Sequence, residues 1–326
     1  MPDRRVFLAA LAGGVAGHRF AWAQPAAQVR RICWLSSQAT RAESYNVAMV
    51  EELRARGFAE GRNLAIEFRS ADGHTERLPQ LSAELARGPC DVYFTPGTTA
   101  NLDAIVRATR DTPIVIVATD YDPVATGHVA NLARPGGRVT GVSHLQSELP
   151  AKRLAVLREI LPGARRIAVL ADPVSAGQLA ITREAAQSLG VTLLVQELKQ
   201  APYDYDQAFA ELARGRPDAL LVLASGLFVA ARSRIPELAL KYRLPAMFNN
   251  ALWAESGGLV SYGVNFTTSY RRAASQLALI LNGAKPAEIP LEQASGIELA
   301  INRATAKALG VTIPPAVLAR TDRLIG

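Results

Sequence analysis

The sequence has 326 residues, with 36 Lys and Arg against 29 Asp and Glu, so its formal net charge is +7. The arginines are scattered over predicted helix faces, with no basic run and no interleaved aromatic residues, which argues against nucleic-acid binding. The four histidines and two cysteines show no metal-ligand spacing, so neither a metal centre nor another cofactor is expected.

Residues 1–23 are predicted to be an export signal. Arg4 and Arg5 precede an uncharged apolar run over 6–17, and residues 21–23 (AWA) offer a small-x-small cleavage pattern. The run is shorter than the roughly 20 residues that a membrane-spanning helix needs. The paired arginines fit a twin-arginine signal or a Sec signal, and no cysteine follows for a lipid anchor. We therefore expect a soluble periplasmic protein, large enough for two lobes.

Short apolar runs alternate with longer segments of helical period along the rest of the chain. Strands are predicted at 31–36, 64–69, 91–95, 114–119, 139–143, 166–171, 192–197, 219–224, 246–249, 259–263 and 297–301. Helices are predicted at 43–56, 76–87, 99–109, 123–132, 149–161, 177–189, 205–214, 229–242, 267–282 and before Leu309. Because the strands lack a polar-out period, the alternation predicts an α/β fold with parallel, doubly wound sheets covered by helices on both faces.

The chain also repeats itself. The string AELARG at 83–88, followed by a predicted strand, recurs at 210–215 before another predicted strand. Two weaker pairs fall in the same order, residues 29–35 with 164–170 and residues 112–114 with 244–246. Such ordered repetition predicts two similar lobes with a cleft between them.

Turn sequences suggest how the two lobes are divided. A Pro-Gly-Gly turn at 135–137 precedes the strand at which the chain is expected to leave the first lobe. We assign 29–142 plus 263–284 to lobe 1 and 143–262 plus 285–326 to lobe 2. Several crossings form a hinge that opens easily but resists twisting, as a closing cleft requires.

Polar residues follow the predicted strands at the edge where open α/β sheets bind ligands. Each of them could instead cap the next helix, and the functional hypothesis depends on their coming from equivalent strand ends in both lobes. The candidate ligand-binding residues are Ser36, Ser37, Thr98, Thr99, Asp120 and Asp122 in the first lobe, and Asp172, Ser225, Asn249, Asn250 and Tyr262 in the second.

Neither an enzyme motif nor a paired acid and base stands out in the sequence. There is no nucleophile elbow, no phosphate-binding loop and no strand-borne Gly-x-Gly-x-x-Gly, so no catalytic residue is expected. Cys33 and Cys90 lie in two strand patterns, and two buried small apolar residues are favoured over a disulfide. Because the periplasm is oxidising, the expected location leaves a disulfide between them as an alternative.

Several segments carry a specific resemblance to a known family. They are residues 122–125, 131–142, 152–154, 258–263 and 307–314. The chain resembles the ABC-transporter substrate-binding family that includes the tryptophan and tyrosine uptake receptors. The resemblance implies a type I periplasmic-binding-protein fold, capture of a small-molecule solute by hinge closure, and delivery to a membrane permease with a cytoplasmic ATPase.

The resemblance leaves the solute open. In members similar to aromatic amino acid receptors, an Asp-Asn pair follows the second-lobe strand where this chain has Ser225 and Gly226, so a partner for an amine is missing there. Asp172 or Asp120 could replace it, and an amino acid, an aromatic compound or a small anion are all candidates. A receptor acting on a membrane signalling partner and a periplasmic α/β enzyme are the alternative functions.

Overall fold

A computed structural model describes residues 29–37, 40–119, 121–144, 148–200 and 202–326. The predicted export signal and Asp120 lie outside these residues. Within them, none of the helices combines the length and apolar character needed to cross a bilayer.

The first run of elements alternates strands and helices. In chain order it contains β1 (Arg30–Ser36), α1 (Ser44–Ala55), β2 (Leu64–Ser70), α2 (Leu78–Ala86), β3 (Val92–Gly97), α3 (Thr99–Ala108), β4 (Ile114–Ala118) and β5 (Val139–Ser143).

The second run repeats the alternation and ends with a short tail. It contains α4 (Leu149–Ile160), β6 (Arg166–Ala171), α5 (Ala176–Leu189), β7 (Thr192–Glu197), α6 (Tyr205–Arg214), β8 (Ala219–Val222), α7 (Arg234–Lys241), β9 (Ala246–Phe248), α8 (Ala251–Glu255) and β10 (Val260–Val264). The tail contains α9 (Phe266–Leu281), β11 (Glu292–Gln293), β12 (Ile297–Asn302), α10 (Arg303–Leu309), α11 (Pro315–Leu318) and β13 (Arg323–Ile325).

The strands form two sheets with the same internal order, which confirms the predicted fold class. The first sheet runs β11-β5-β4-β3-β1-β2 and the second β13-β12-β10-β9-β8-β6-β7. All of the described pairings are parallel except that of β10 with β12. Each strand from β1 to β5 thus has its equivalent among β6 to β10, as the repeated sequence predicts.

The repeat has a physical basis at the start of the strands. Asp91 accepts a 2.7 Å hydrogen bond from the backbone N–H of Arg31, and Asp218 accepts bonds of 2.7 and 2.8 Å from the N–H groups of Arg165 and Arg166. These backbone hydrogen bonds hold the pKa of Asp218 below its usual range. In each lobe an equivalent Asp carboxylate, Asp91 or Asp218, therefore connects the repeated segment to the first strand of its sheet by hydrogen bonds.

Alternating strand residues fill a core on each face of each sheet. Ile32 and Trp34 of β1 face one cluster and Cys33 and Leu35 the opposite one. The equivalent residues of β6 divide in the same way between two further clusters. Burial on both faces explains why the strands are apolar without a period of two.

Two sequence predictions are wrong. The segment 123–132 is a succession of turns instead of a helix, because Gly127 at φ 75° ends the single turn that begins at Pro123. The prediction that Cys33 and Cys90 are two buried, unbridged residues is also wrong, because they form a disulfide with Cα atoms 5.9 Å apart. The neighbouring strands β1 and β3 bring the two residues together.

Among the described elements, the chain passes from one sheet to the other at three places: after β5, between β10 and α9, and between β11 and β12. The third crossing is hydrogen-bonded to each of the other two: the Ala294 N–H donates to the Ser143 carbonyl (2.9 Å), and the Asn265 N–H donates to the Gly296 carbonyl (2.7 Å). Residues 285–293, grouped by sequence with lobe 2, lie against the first sheet, where β11 pairs with β5 and Leu291 is buried. The third crossing therefore follows β11.

Candidate functional site

A cavity of about 290 Å³ lies between the two sheets, next to the crossing segments. From the first-sheet side it is lined by Thr119, His144 and Phe266, which follow β4, β5 and the second crossing. The other described walls are Leu149, Pro150 and Arg153 of α4, Val174, Gly177, Gln178 and Ile181 at the start of α5, and Ala224, Asn249 and Val264 at strand ends. Parallel strands place their carboxyl ends on one edge of a sheet, so both lobes face the cavity with these ends.

Arg153 brings a positive charge to the wall of the cavity. The residue is 5% exposed, and its Nε donates a 2.8 Å hydrogen bond to the Tyr262 carbonyl, which fixes the guanidinium against β10. A Cβ on Gly263 would lie 1.9 Å from the Asn249 carbonyl and 3.2 Å from Nη2 of Arg153. The glycine is therefore needed for the close approach of β9, β10 and α4 at this wall.

His144 and Phe266 form the aromatic part of the wall. Their ring centroids are 4.8 Å apart. The backbone N–H of His144 donates a hydrogen bond to the Ala118 carbonyl (2.8 Å), which holds the residue in place. Both ring nitrogens of His144 are buried, and neither has a hydrogen-bond partner among the residues that the structure describes. Burial lowers the pKa of His144 to about 3, so the imidazole is neutral and offers one donor and one acceptor.

Gln178 holds the second-lobe side of the cavity together. Its Nε2 donates to the Ala224 carbonyl (2.8 Å), and the Ala224 N–H donates to its Oε1 (3.1 Å). The side-chain amide thus pairs with the backbone after β8 as a strand would, and it fixes the start of α5 beside the wall.

Among the predicted site residues with described positions, Asn249 lines the cavity. Asp172 and Ser225 are brought together behind it, where Asp172 is 1% exposed. Its Oδ1 accepts from the Ser175 N–H (3.0 Å), and its Oδ2 accepts from the Ser225 and Tyr203 hydroxyls. Burial, followed by the nearby Asp172 carboxylate, raises the pKa of Tyr203 to about 12, so the phenol is a donor at neutral pH.

The first-lobe candidates form a separate group. The Ser37 and Thr98 hydroxyls both donate to Oδ1 of Asn101, at 2.8 and 3.2 Å. Thr99 is the first residue of α3 and Ser36 the last of β1. The cavity walls named above include none of these residues.

The remaining candidates have local structural roles. Asp122 accepts from the Val124 N–H (2.8 Å) in the turn after β4, and Asn250 caps α8 through the Leu252 N–H (3.1 Å). Tyr262 packs against core clusters of both lobes. The contacts of Asp122 and Asn250 match the capping alternative that the sequence left open.

Sequence reasoning missed most of the described cavity wall. Thr119 adjoins the candidate Asp120, and His144 directly follows the predicted strand 139–143. Arg153 lies in a segment that carried the family resemblance. Position at a strand end was thus a usable signal for two of these residues.

The two sheets, the three crossings and the cavity between the lobes define a binding protein of the type I periplasmic-binding-protein fold. The sequence profile of the ABC transporter substrate binding protein family matches residues 39–325. The chain belongs to this family.

Relatives and solved structures agree with this assignment. A tyrosine-binding protein of Clostridioides difficile (strain R20291) is 25% identical over 271 residues, which cover 80% of this chain and 74% of the relative. A conserved domain protein of Vibrio cholerae O1 biovar El Tor strain N16961 has a TM-score of 0.82 at 26% identity, with 91% of this chain and 100% of the other covered. A Streptococcus pneumonia ABC domain in complex with L-Trp has a TM-score of 0.76 at 21% identity, with 90% and 100% covered.

Within the described residues no group of three or more His, Cys, Asp or Glu side chains is placed to hold a metal ion.

Proposed function

We propose that this protein is the periplasmic receptor of an ABC importer, which captures a small solute between its lobes and delivers it to a membrane permease with a cytoplasmic ATPase. The observation that carries the proposal is the cavity at the carboxyl ends of strands from both sheets, beside the crossings, of which the third is hydrogen-bonded to the other two. A ligand that contacts both lobes favours the closed arrangement, and the permease would recognise that arrangement. No catalytic step is part of this function.

Similar proteins support a small organic solute. The C. difficile relative is named for tyrosine and the S. pneumonia structure contains L-Trp. A solute-binding protein of an ABC transporter from R. palustris, with the same fold at 13% identity, was solved with benzoate. Amino acids and aromatic acids are therefore the first compounds to test.

Thermal unfolding in the presence of such compounds tests the receptor function. A ligand at about 100 times its dissociation constant is expected to add about 2.7 kcal/mol to the free energy of unfolding, because it binds only the folded state. The measurement is a melting curve of the mature protein against amino acids, aromatic acids, sugars and small anions. If no compound of a broad library moved the curve, the proposal would fail. A second measurement separates import from sensing: cells that lack the gene for this protein should no longer take up the compound that stabilises it.

An ion pair between the lobes provides a test of closure. Arg232, after β8, makes a bidentate pair with Glu43, at the start of α1, with N···O distances of 2.9 and 3.1 Å. Arg232 also donates from Nε to the Ser256 hydroxyl (3.1 Å). The two charged side chains are 25% and 21% exposed, so water screens the pair only in part.

Glu43→Gln is expected to weaken ligand binding about fivefold to tenfold by titration calorimetry, because the closed form loses a charge-assisted pair. The matched control is Asp206→Asn, which removes the 2.6 Å pair with Arg234 inside the second lobe and should leave affinity unchanged. Equal losses in both variants would show a general charge effect and contradict a role in closure.

A further inference from the structure

Glu298 is a buried carboxylate that joins the second crossing to the third. It is the second residue of β12, is 8% exposed, and lies opposite Gly263 in the antiparallel pair of β10 and β12. Its Oε2 accepts a 2.9 Å hydrogen bond from Nδ2 of Asn265, the residue between β10 and α9. Because β12 directly follows the third crossing and Asn265 belongs to the second, this bond connects the two.

Asn265 carries the contact on to the start of α9. Its Oδ1 accepts from the Thr268 N–H (2.9 Å) and caps the helix, and its own N–H donates to the Gly296 carbonyl (2.7 Å). Because the Thr268 N–H can only donate, the amide turns its oxygen to the helix and its nitrogen to Glu298. An ionised carboxylate only accepts, so Glu298 holds the amide in the orientation that the cap needs.

The helix that Asn265 caps begins at the cavity. Phe266 directly follows Asn265 and lines the cavity together with Val264, which directly precedes Asn265. The Phe266 ring also packs against His144, with centroids 4.8 Å apart, and against Tyr45 of α1, with centroids 5.6 Å apart. A change in the orientation of Asn265 would therefore displace the cavity wall on both sides of it.

The groups around Glu298 stabilise a charge at a buried site. Burial raises the pKa of Glu298, while Arg323 and the hydrogen bond from Asn265 act in the opposite direction, and Asp322 and Glu255 raise it further. Nη1 of Arg323 lies 4.0 Å from Oε1 of Glu298, and Arg323 also pairs with Glu255 of α8. A carboxylate at this depth is costly without hydrogen-bond donors, so the contact with Asn265 stabilises this arrangement of the two crossings.

We propose that Glu298 is a positioning residue of the receptor, a role that rests on the function proposed above. It holds the Asn265 amide, and through it fixes the second crossing to the third and Phe266 to the cavity wall. The solute then meets a preformed wall, which reduces the cost of ordering the site on binding. Loss of the contact lets the two crossings move independently and widens the range of lobe arrangements.

Four variants separate the hydrogen bond from the charge and size of Glu298. Glu298→Met removes the acceptor, and Asn265→Ser removes the donor while its hydroxyl can still cap α9. Glu298→Gln keeps an acceptor for the Asn265 amide, and in the double variant Asn265→Asp/Glu298→Gln the bond re-forms in reverse, from the new amide to the new carboxylate. Met and Gln both remove the charge beside Arg323 and are similar in size, so an effect of charge or volume alone would be the same in both.

Amide hydrogen exchange of the solute-free protein measures the link between the crossings. In Glu298→Met and Asn265→Ser, the protection factor of the backbone N–H at position 265 is expected to fall about tenfold, because its bond to the Gly296 carbonyl loses support. Glu298→Gln and the double variant should stay within about twofold of the unmodified protein.

Two results would overturn the assignment. Equal loss of protection in Glu298→Met and Glu298→Gln would show an effect of charge or packing, and unchanged protection in both Glu298→Met and Asn265→Ser would show that the contact holds nothing in place. If Glu298→Met failed to fold, Asn265→Ser, at a half-buried position, would decide together with the double variant.

The spread of distances between the lobes tests the consequence for solute capture. Spin labels on Ala83→Cys in α2 and Gln187→Cys in α5, both exposed positions, report the lobe separation of the oxidised protein by pulsed electron paramagnetic resonance. The distance distribution should be broader in Asn265→Ser and keep its original width in the double variant. The same width in all proteins would contradict a role in positioning the lobes.

Neither measurement uses a solute, so failure of this inference differs from failure of the proposed function. Unchanged exchange and lobe distances would remove the role of Glu298 and leave the receptor. A broad library without any ligand would instead contradict the receptor itself.

Discussion

Replacing Cys33 and Cys90 together by alanine is expected to lower the free energy of unfolding by about 4 kcal/mol. The disulfide joins residues 57 positions apart, and a cross-link over a loop of this length restricts the unfolded chain far more than the folded one. In the folded state β1 and β3 already hold the two residues side by side, so the bridge is compatible with the sheet.

Chemical denaturation of the oxidised protein and of the double variant measures this difference. Reducing agent should shift the midpoint of the unmodified protein and leave that of the double variant unchanged, which controls for other effects of the reagent. Ligand affinity should stay the same, because the bridge lies inside the first lobe, away from the described cavity walls. A difference below about 1 kcal/mol would show that the bridge contributes little to stability, contrary to the loop-closure argument.

Topology could be predicted from the sequence because it depends on local and repeated patterns. The apolar strands follow from burial on both faces, and Asp91 and Asp218 make equivalent contacts at the start of the repeated segments. Shorter elements could not be found in this way. β11 has only two residues, too few to show a period, and its pairing with β5 depends on the path of α9.

The candidate site was harder to predict, because capping and ligand binding use the same residue types at strand ends. Asn250 and Ser225 accept from backbone N–H groups just as a ligand-free cap would. His144, Arg153 and Phe266 meet only through the crossings between lobes, so no spacing along the chain reveals their proximity. Searching the sequence for polar residues at strand ends thus finds the correct edge of each sheet, but it misses several of the side chains that line the cavity.

Asp172→Ala is expected to lower the free energy of unfolding by about 3 kcal/mol, measured by chemical denaturation. The variant loses the cap on the turn Pro173–Ser175, in which the Ser175 N–H donates to Oδ1 and the Asp172 N–H donates to the Ser175 hydroxyl. The hydroxyls of Ser225 and Tyr203 lose their shared acceptor. Polar groups left without partners at a site this buried lower the free energy of unfolding more than the loss of an exposed cap would.

Asp172→Asn is the conservative control for this prediction. It retains an oxygen to accept from Ser175, and the hydroxyls can rotate to accept from the new amide, so the loss should be only about 1 kcal/mol. Asn249→Ala, at the cavity wall, should give the opposite pattern, with unchanged stability and weaker ligand binding. If Asp172→Ala kept full stability and abolished binding, Asp172 would be a ligand-binding residue. Opposite responses at these two strand ends of the same sheet would separate residues that build the cleft from those that contact the solute.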